Sequence, residues 1–220
     1  MKEVTLEGNP EQLTEKHLTE LKNTNFINRL SIGVQSFDND ILKLLNRRHN
    51  CTDAIYATKN AQKAGFDNIT LDLIYGIPGL TNKLWLEDLN IIAGLNIQHL
   101  SCYALTVEDG TMLKTLIEKG KIAPTDEDQT LQHYESLIEW CHKNNFVQYE
   151  ISNFCREGYE AKHNSRYWNN TPYLGIGAAA HSYNGTSRQW NISDIKNYIQ
   201  SINSGIVPST IENLSVEDSF

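Results

Sequence analysis

The 220-residue chain is 40% hydrophobic and 21% charged, which places it in the globular class with enough apolar sequence for a sizeable core. Its formal net charge of −8 argues against a nucleic-acid partner, since phosphate binding needs clustered Lys and Arg and the one dense basic spot is Arg47-Arg48-His49. No apolar run approaches the ~18 residues of a membrane span and no signal pattern opens the chain, so it reads as cytoplasmic with no transmembrane segment, peripheral association with a membrane staying open. Cys51, Cys102, Cys141 and Cys155 are too scattered for a CxxC metal site or a disulfide framework, and read as reduced structural thiols.

The first strand runs from Val4 to Gly8, with Glu7 on its non-aliphatic face near the C-terminal end. Asn9-Pro10 opens a helix, because Pro is favoured at a first helical position, and Leu13, Leu18 and Leu21 supply its apolar stripe. In Arg29-Leu-Ser-Ile-Gly-Val-Gln35, Leu30, Ile32 and Val34 alternate with Arg29, Ser31, Gly33 and Gln35, the pattern of a second strand. Asp38 caps a short helix ending near Arg47, and Thr52-Asp53 opens another that runs through Ala64 to a Gly65 stop.

Asn68-Ile-Thr-Leu-Asp-Leu-Ile-Tyr-Gly-Ile-Pro-Gly79 is an apolar run holding one carboxylate and closed by a Gly/Pro turn, the signature of a buried parallel strand. Asp72 within it must meet a partner or a ligand, because a bare buried carboxylate costs several kcal/mol or more. Thr81 to Leu95 reads as a helix with Leu84, Leu86, Leu89 and Ile92 inward, and Gln98 to Thr106 as a fourth strand. After the Glu108-Asp-Gly-Thr111 turn come helices over Met112–Glu118 and Asp126–Asn144, the second with Leu131, Tyr134, Leu137, Ile138 and Cys141 at core spacing.

Four strand-plus-helix units of roughly 30 to 40 residues define an α/β fold with a parallel sheet. In a βα barrel the polar parity faces the interior, so Glu7, Gln35 and Asp72 gather at the C-terminal mouth, where such enzymes keep their sites. Polar plugging of the interior is the competing account. With Arg47, Thr106 and His181 these residues suit a zwitterionic, ribose-bearing ligand: carboxylates and an amide for an amine and hydroxyls, Arg47 for a carboxylate. Arg47 read alone is equally a solvated cation at a helix end.

Past Gln148 the chain turns Gly-, Asn- and aromatic-rich, through Tyr149-Glu-Ile-Ser-Asn-Phe154, His163-Asn-Ser-Arg-Tyr-Trp168 and Tyr173 to Ser182. Gly175 and Gly177 allow close backbone approach. A last helix spans Ser193 to Asn203, and Ser215-Val-Glu-Asp218 has the form of a helix N-cap with an acidic first turn.

Glu7-Gly-Asn-Pro10, Arg29 to Asp38, Leu45-Asn-Arg-Arg-His49, Asp72 to Gly79 and Leu100-Ser-Cys-Tyr103 together resemble the radical S-adenosylmethionine (SAM) proteins related to HemN, the oxygen-independent coproporphyrinogen III oxidase. Tyr149 to Phe154, the HNxxYW motif at His163 to Trp168 and the Gly-Ile-Gly…His-Ser segment resemble its heme chaperone branch, HemW.

The resemblance implies a partial (β/α)6 TIM-like radical SAM barrel, truncated at both ends. It divides the chain into barrel units over 1–148, an extension over 149–214 and the start of a further domain over 215–220. It implies SAM contacts from Glu7, Gln35, Arg47, Asp72, Thr106, Ala180 and His181, and a heme site with His163, Tyr167 and Trp168 as candidates. The family's CxxxCxxC loop for a [4Fe-4S] cluster stands before Glu7, and these residues hold no such motif, so the cluster is expected only in a full-length protein.

Two functions follow from the resemblance: a chaperone that binds heme and passes it to apo-hemoproteins, or a radical enzyme that oxidises a porphyrinogen propionate. A barrel enzyme without SAM would need a phosphate-type Gly loop, which is missing from the sequence.

Overall fold

Aliphatic side chains on alternate strand positions need a helical layer on one side, and the chain supplies it after every early strand. The computed structural model describes residues 3–215, so the helix start expected at 215–220 lies, beyond Ser215, outside the described residues. Two compact units meet in sequence between Glu160 and Ala161.

In the first unit β1 (Thr5–Gly8) leads through a 3-10 turn (Pro10–Gln12) to α1 (Glu15–Asn23). Then follow β2 (Arg29–Gln35), α2 (Asn39–Leu44), α3 (Cys51–Lys63), β3 (Ile69–Tyr75), α4 (Asn82–Ala93) and β4 (His99–Ala104). Helices α5 (Met112–Glu118) and α6 (Glu127–Lys143) precede two short strands, β5 (Val147–Gln148) and β6 (Asn153–Cys155).

The sheet order is β1-β2-β3-β4-β6-β5. Its first four strands are parallel neighbours, as the repeat of strand and helix requires. The last two depart from a barrel of six parallel units: β6 runs antiparallel to β4, and β5 antiparallel to β6. Among the described residues the sheet stays open. Leu30, Ile32, Val34, Ile69, Leu71, Leu73 and Leu100, all fully buried, form its helix-facing side.

Local chemistry moved several boundaries. The helix expected at Asn9-Pro10 is a 3-10 turn, closed by a capping box between Asn9 and Gln12, and α1 starts afresh at the Thr14 cap. β4 stops at Ala104, leaving Thr106 in the exposed loop beyond it. Leu86 and Leu131, placed in the core by spacing, are 43% and 56% exposed. Their neighbours Trp85 and His133 are fully buried in their stead, joined by a 2.8 Å hydrogen bond from Trp85 Nε1 to the His133 carbonyl. An indole buries more apolar surface than a leucine, and its N–H found a partner, so it took the inward position.

The second unit holds α7 (Lys162–Trp168), β7 (His181–Tyr183), β8 (Ser187–Asn191), α8 (Ile195–Asn203) and β9 (Ser209–Asn213). Its three strands form an antiparallel sheet in sequence order. Gly175 packs against the His181 backbone so closely that a Cβ would lie 2.1 Å from its carbonyl oxygen, which is the close approach its sequence context promised.

Behind Asp72, the turn after β3 is fastened to α6. Gly76 N–H donates to His133 Nδ1 at 3.1 Å, with Gly76 at φ +73° and its missing Cβ pointing at Thr130 Oγ1, 2.6 Å away. Gly76→Ala is expected to destabilise the protein by about 1–3 kcal/mol in denaturant titration. Adding Thr130→Ala should recover only part of the loss, because it relieves the clash and not the left-handed backbone.

Candidate functional site: a polar cavity at the strand ends

The inner face of the sheet is polar from one strand to the next. Arg29, Ser31, Thr70, His99, Ser101 and Asn153 are all buried there. Arg29 donates through Nη1 to Thr5 Oγ1 at 3.4 Å and through Nη2 to Thr70 Oγ1. Burial, with the Arg29 cation adding to it, drives the His99 imidazole down to about 3, so it stands neutral beside Tyr149 OH at 2.8 Å.

Above this layer a cavity of about 300 Å³ is lined by Glu7, Gly8, Asn9, Gln12, Ser31, Gly33, Gln35, Arg47 and Asp72. Four of the predicted residues, Glu7, Gln35, Arg47 and Asp72, thus meet in one place. Thr106 is not among the lining residues. Ala180 and His181 belong to the second unit, where the Ala180 carbonyl accepts from Asn191 N–H at 3.0 Å and His181 pairs with Trp190 across β7 and β8.

An irregularity in β2 shapes the wall. Ile32 and Gln35 pair with Leu71 and Leu73, so β2 carries one residue more than β3 over the same rise, and Gln35 sits at φ +70°. The bulge turns the Gly33 carbonyl to Arg47 Nη2 at 3.0 Å, and the same nitrogen donates to Asn9 Oδ1. Gly33 leaves room for this: a Cβ there would lie 2.9 Å from Gln35 Nε2 and 3.3 Å from Arg47 Nη2.

Asp72 accepts from Ser31 Oγ at 3.1 and 3.2 Å. Ser101 Oγ donates to Asn153 Oδ1 at 2.7 Å and stands beside the same carboxylate. Burial pushes the Asp72 carboxyl up to about 6, the nearby Ser101 and Ser31 hydroxyls pulling it back and Glu7 pushing it further. Ser31, Asn9, Gln12 and Gly33 were not singled out from sequence. Ser31 and Gly33 shared the parity of Gln35, whereas Asn9 stood only in the helix start and the Glu7-Gly-Asn-Pro10 segment, and Gln12 carried no signal.

In the second unit His163 Nε2 lies 2.8 Å from Tyr167 OH, and the Tyr167 ring meets His163 and Tyr173 edge-on, both at 4.8 Å. Tyr167 and Trp168 are 47% and 57% exposed, so the HNxxYW motif presents its rings on the surface of α7 and does not fill a core.

Residues 1–92 match the Radical SAM superfamily and form a radical SAM domain. The chain is 39% identical over 202 residues to the heme chaperone HemW of Bacillus subtilis (strain 168), covering 92% of this chain and 53% of that protein. It is 36% identical over 200 residues to the heme chaperone HemW of Lactococcus lactis subsp. lactis (strain IL1403), covering 91% and 52%. The solved structure of coproporphyrinogen III oxidase (HemN) from Escherichia coli, described as a radical SAM enzyme, matches with a TM-score of 0.79 at 22% identity, over 98% of this chain and 52% of that one. At that identity it shows the fold. The chain spans about half the length of the curated relatives it matches.

A radical SAM domain implies SAM and a [4Fe-4S] cluster as cofactors. The cavity's donor set fits the first: two carboxylates, an amide and a guanidinium at hydrogen-bonding positions around a space of ligand size. The cysteines do not fit the second. Iron binds thiolates, and burial pushes the Cys141 and Cys155 thiols up to about 12 and the Cys102 thiol well above its usual value. Anaerobic reconstitution with iron and sulfide is expected to leave the 220-residue chain colourless; a stable brown protein with four-iron spectra would reverse that.

The raised Asp72 value has a definite sign in stability. The unfolded carboxyl titrates near 3.8 and the folded one near 6, so between them the folded state keeps a proton the unfolded state has lost. The stability this confers is present below the unfolded value and is lost as pH rises through about 6. Asp72→Asn is expected to flatten the stability profile in that window and to raise stability at pH 7 by about 1–3 kcal/mol. A residual slope should remain from Asp88, which burial also pushes up to about 6.

Proposed function

We propose that the protein is a heme chaperone of the cytoplasm, binding heme and handing it to apo-hemoproteins, on a radical SAM core whose cavity takes SAM. The observation that carries the reading is the identity of 39% and 36% to relatives named heme chaperone HemW, sustained across 92% and 91% of the chain. The coproporphyrinogen oxidase alternative has only a fold-level likeness at 22% identity behind it.

In the cavity Glu7 and Gln35 would hold the ligand's amine, Arg47 its carboxylate and Asp72 a ribose hydroxyl. Thr106, Ala180 and His181 are proposed as SAM contacts on the family resemblance alone. SAM supplies radical chemistry in this superfamily; what this chain's residues contribute is binding and orientation. Support for these roles comes from Glu7, Gln35, Arg47 and Asp72 lining a single space.

For heme, His163 is the first candidate axial ligand, since a neutral imidazole commonly ligates heme iron. Tyr167 and Trp168, being exposed aromatics on the same helix, would pack against the porphyrin. No helix among the described residues is long and apolar enough to cross a membrane.

The test is a titration of the protein with ferric heme and, separately, with SAM. His163→Ala should lower heme affinity about tenfold or more and change the Soret band, with SAM binding unaltered. Glu7→Gln should do the reverse. Heme transfer to an apo-hemoprotein, set beside an assay for porphyrinogen oxidation, separates the chaperone from the oxidase. An unchanged Soret band in a folded His163→Ala protein would move the ligand assignment to His181.

A further inference from the structure

His49 is absent from the cavity's lining residues, yet its ring is wholly enclosed, with a side-chain exposure of 0%. Nε2 lies 2.9 Å from the Val34 carbonyl oxygen. A carbonyl only accepts, so Nε2 carries a hydrogen. Nδ1 faces Glu11 Oε2 at 3.4 Å, an ion-pair distance outside hydrogen-bond alignment. Nδ1 makes no hydrogen bond, and the Glu11 carboxylate is the polar group it faces.

The segments joined in this way are those that build the cavity. Val34 stands between Gly33 and Gln35 in the bulge of β2. Glu11 stands in the 3-10 turn beside Gln12 and near Asn9. His49 itself follows Arg47 by two residues. Gly33, Gln35, Asn9, Gln12 and Arg47 are all lining residues, and Arg47 bridges the bulge and the turn through its bonds to Gly33 and Asn9. A bulge and an isolated 3-10 turn have few ladder bonds of their own to hold a fixed spacing, so an enclosed ring bonded to one and paired with the other sets it.

We propose that His49 is a positioning residue of the cavity: through the Val34 carbonyl and the Glu11 carboxylate it fixes the distance between the bulge and the 3-10 turn, and so the places of Gln35, Asn9 and Arg47 around the ligand. The inference rests on the cavity being the SAM site. Its structural core, the tie between two segments, can be measured without any ligand.

The experiment combines calorimetric titration with SAM and amide hydrogen exchange on the 220-residue chain and its variants. His49→Gln places an amide near Nε2 and keeps the Val34 bond, His49→Asn places one near Nδ1 toward Glu11, and His49→Ala keeps neither. His49→Ala is expected to weaken SAM binding about tenfold and to speed exchange in 9–12 and 33–35 while α4 and α6 stay protected. His49→Gln and His49→Asn should each recover part of the affinity, and Glu11→Gln should resemble His49→Gln.

If His49→Ala binds SAM within about twofold of wild type while Glu7→Gln binds it poorly, His49 is an ordinary core histidine and the inference falls. If Glu7→Gln and Asp72→Asn both bind as wild type, the SAM assignment falls. In that case exchange in 9–12 and 33–35 decides the tie alone, unchanged rates overturning it and raised rates upholding it. Should His49→Ala not fold, the Gln and Asn variants carry the same comparison.

Discussion

A carboxylate inside a hydrophobic strand is the constraint from which the first unit is built. Asp72 lies between Leu71 and Leu73, both fully buried, and the alternation that sends those two into the helical layer sends Asp72 to the other face of β3. That face cannot be greasy. Ser31 opposes the carboxylate on β2, Ser101 is its register partner on β4, and Asn153 continues the polar row onto β6. Even so, Asp72 is held at about 6, which means that its surroundings under-solvate the charge. Binding sites are commonly made of groups left in that condition, because a ligand's hydrogen-bond donors then gain more than they would from a carboxylate already well served.

Much of this was legible in the sequence because it depends on period two. The alternation is strict in Arg29–Gln35 and holds from Ile69 to Leu73, and parity alone put Glu7, Gln35 and Asp72 on one side. The bulge was not legible. Nothing in Gly33-Val-Gln35 announces the extra residue or the positive φ of Gln35, which goes with contacts of the Gly33 and Val34 carbonyls to the distant Arg47 and His49. Gln35 reaches the cavity nonetheless, since it ends the strand.

Periodicity served less well where one large side chain outweighed it. A stripe of leucines on the helices after β3 and β4 would have put Leu86 and Leu131 inside, but Trp85 and His133 are buried in contact there while Leu89, Ile92, Leu137 and Cys141 keep their inward places. The strands past Gln148 were missed for another reason. They are three to five residues long and set among Gly and Asn, too short for any alternation to show. What the sequence did carry there was the close approach at Gly175 and the grouping of His163 with Tyr167, four residues apart on one helical turn.

The order in which the sheet is assembled has a kinetic side. Every lining residue of the cavity comes from the span between Glu7 and Asp72, in contacts made by successive neighbouring strands. β6, by contrast, must return across α5 and α6 to reach β4. Contacts between sequence neighbours close smaller loops and form sooner, so the cavity wall takes shape while the β4 edge is still bare. During that interval the backbone of β4 is an unpaired edge that another chain could occupy. The antiparallel return of β6 is therefore the step in which folding competes with aggregation, and the hydrogen bonds of Ser101 with Asn153 and of Asn153 with Glu150 favour the proper strand over a stranger.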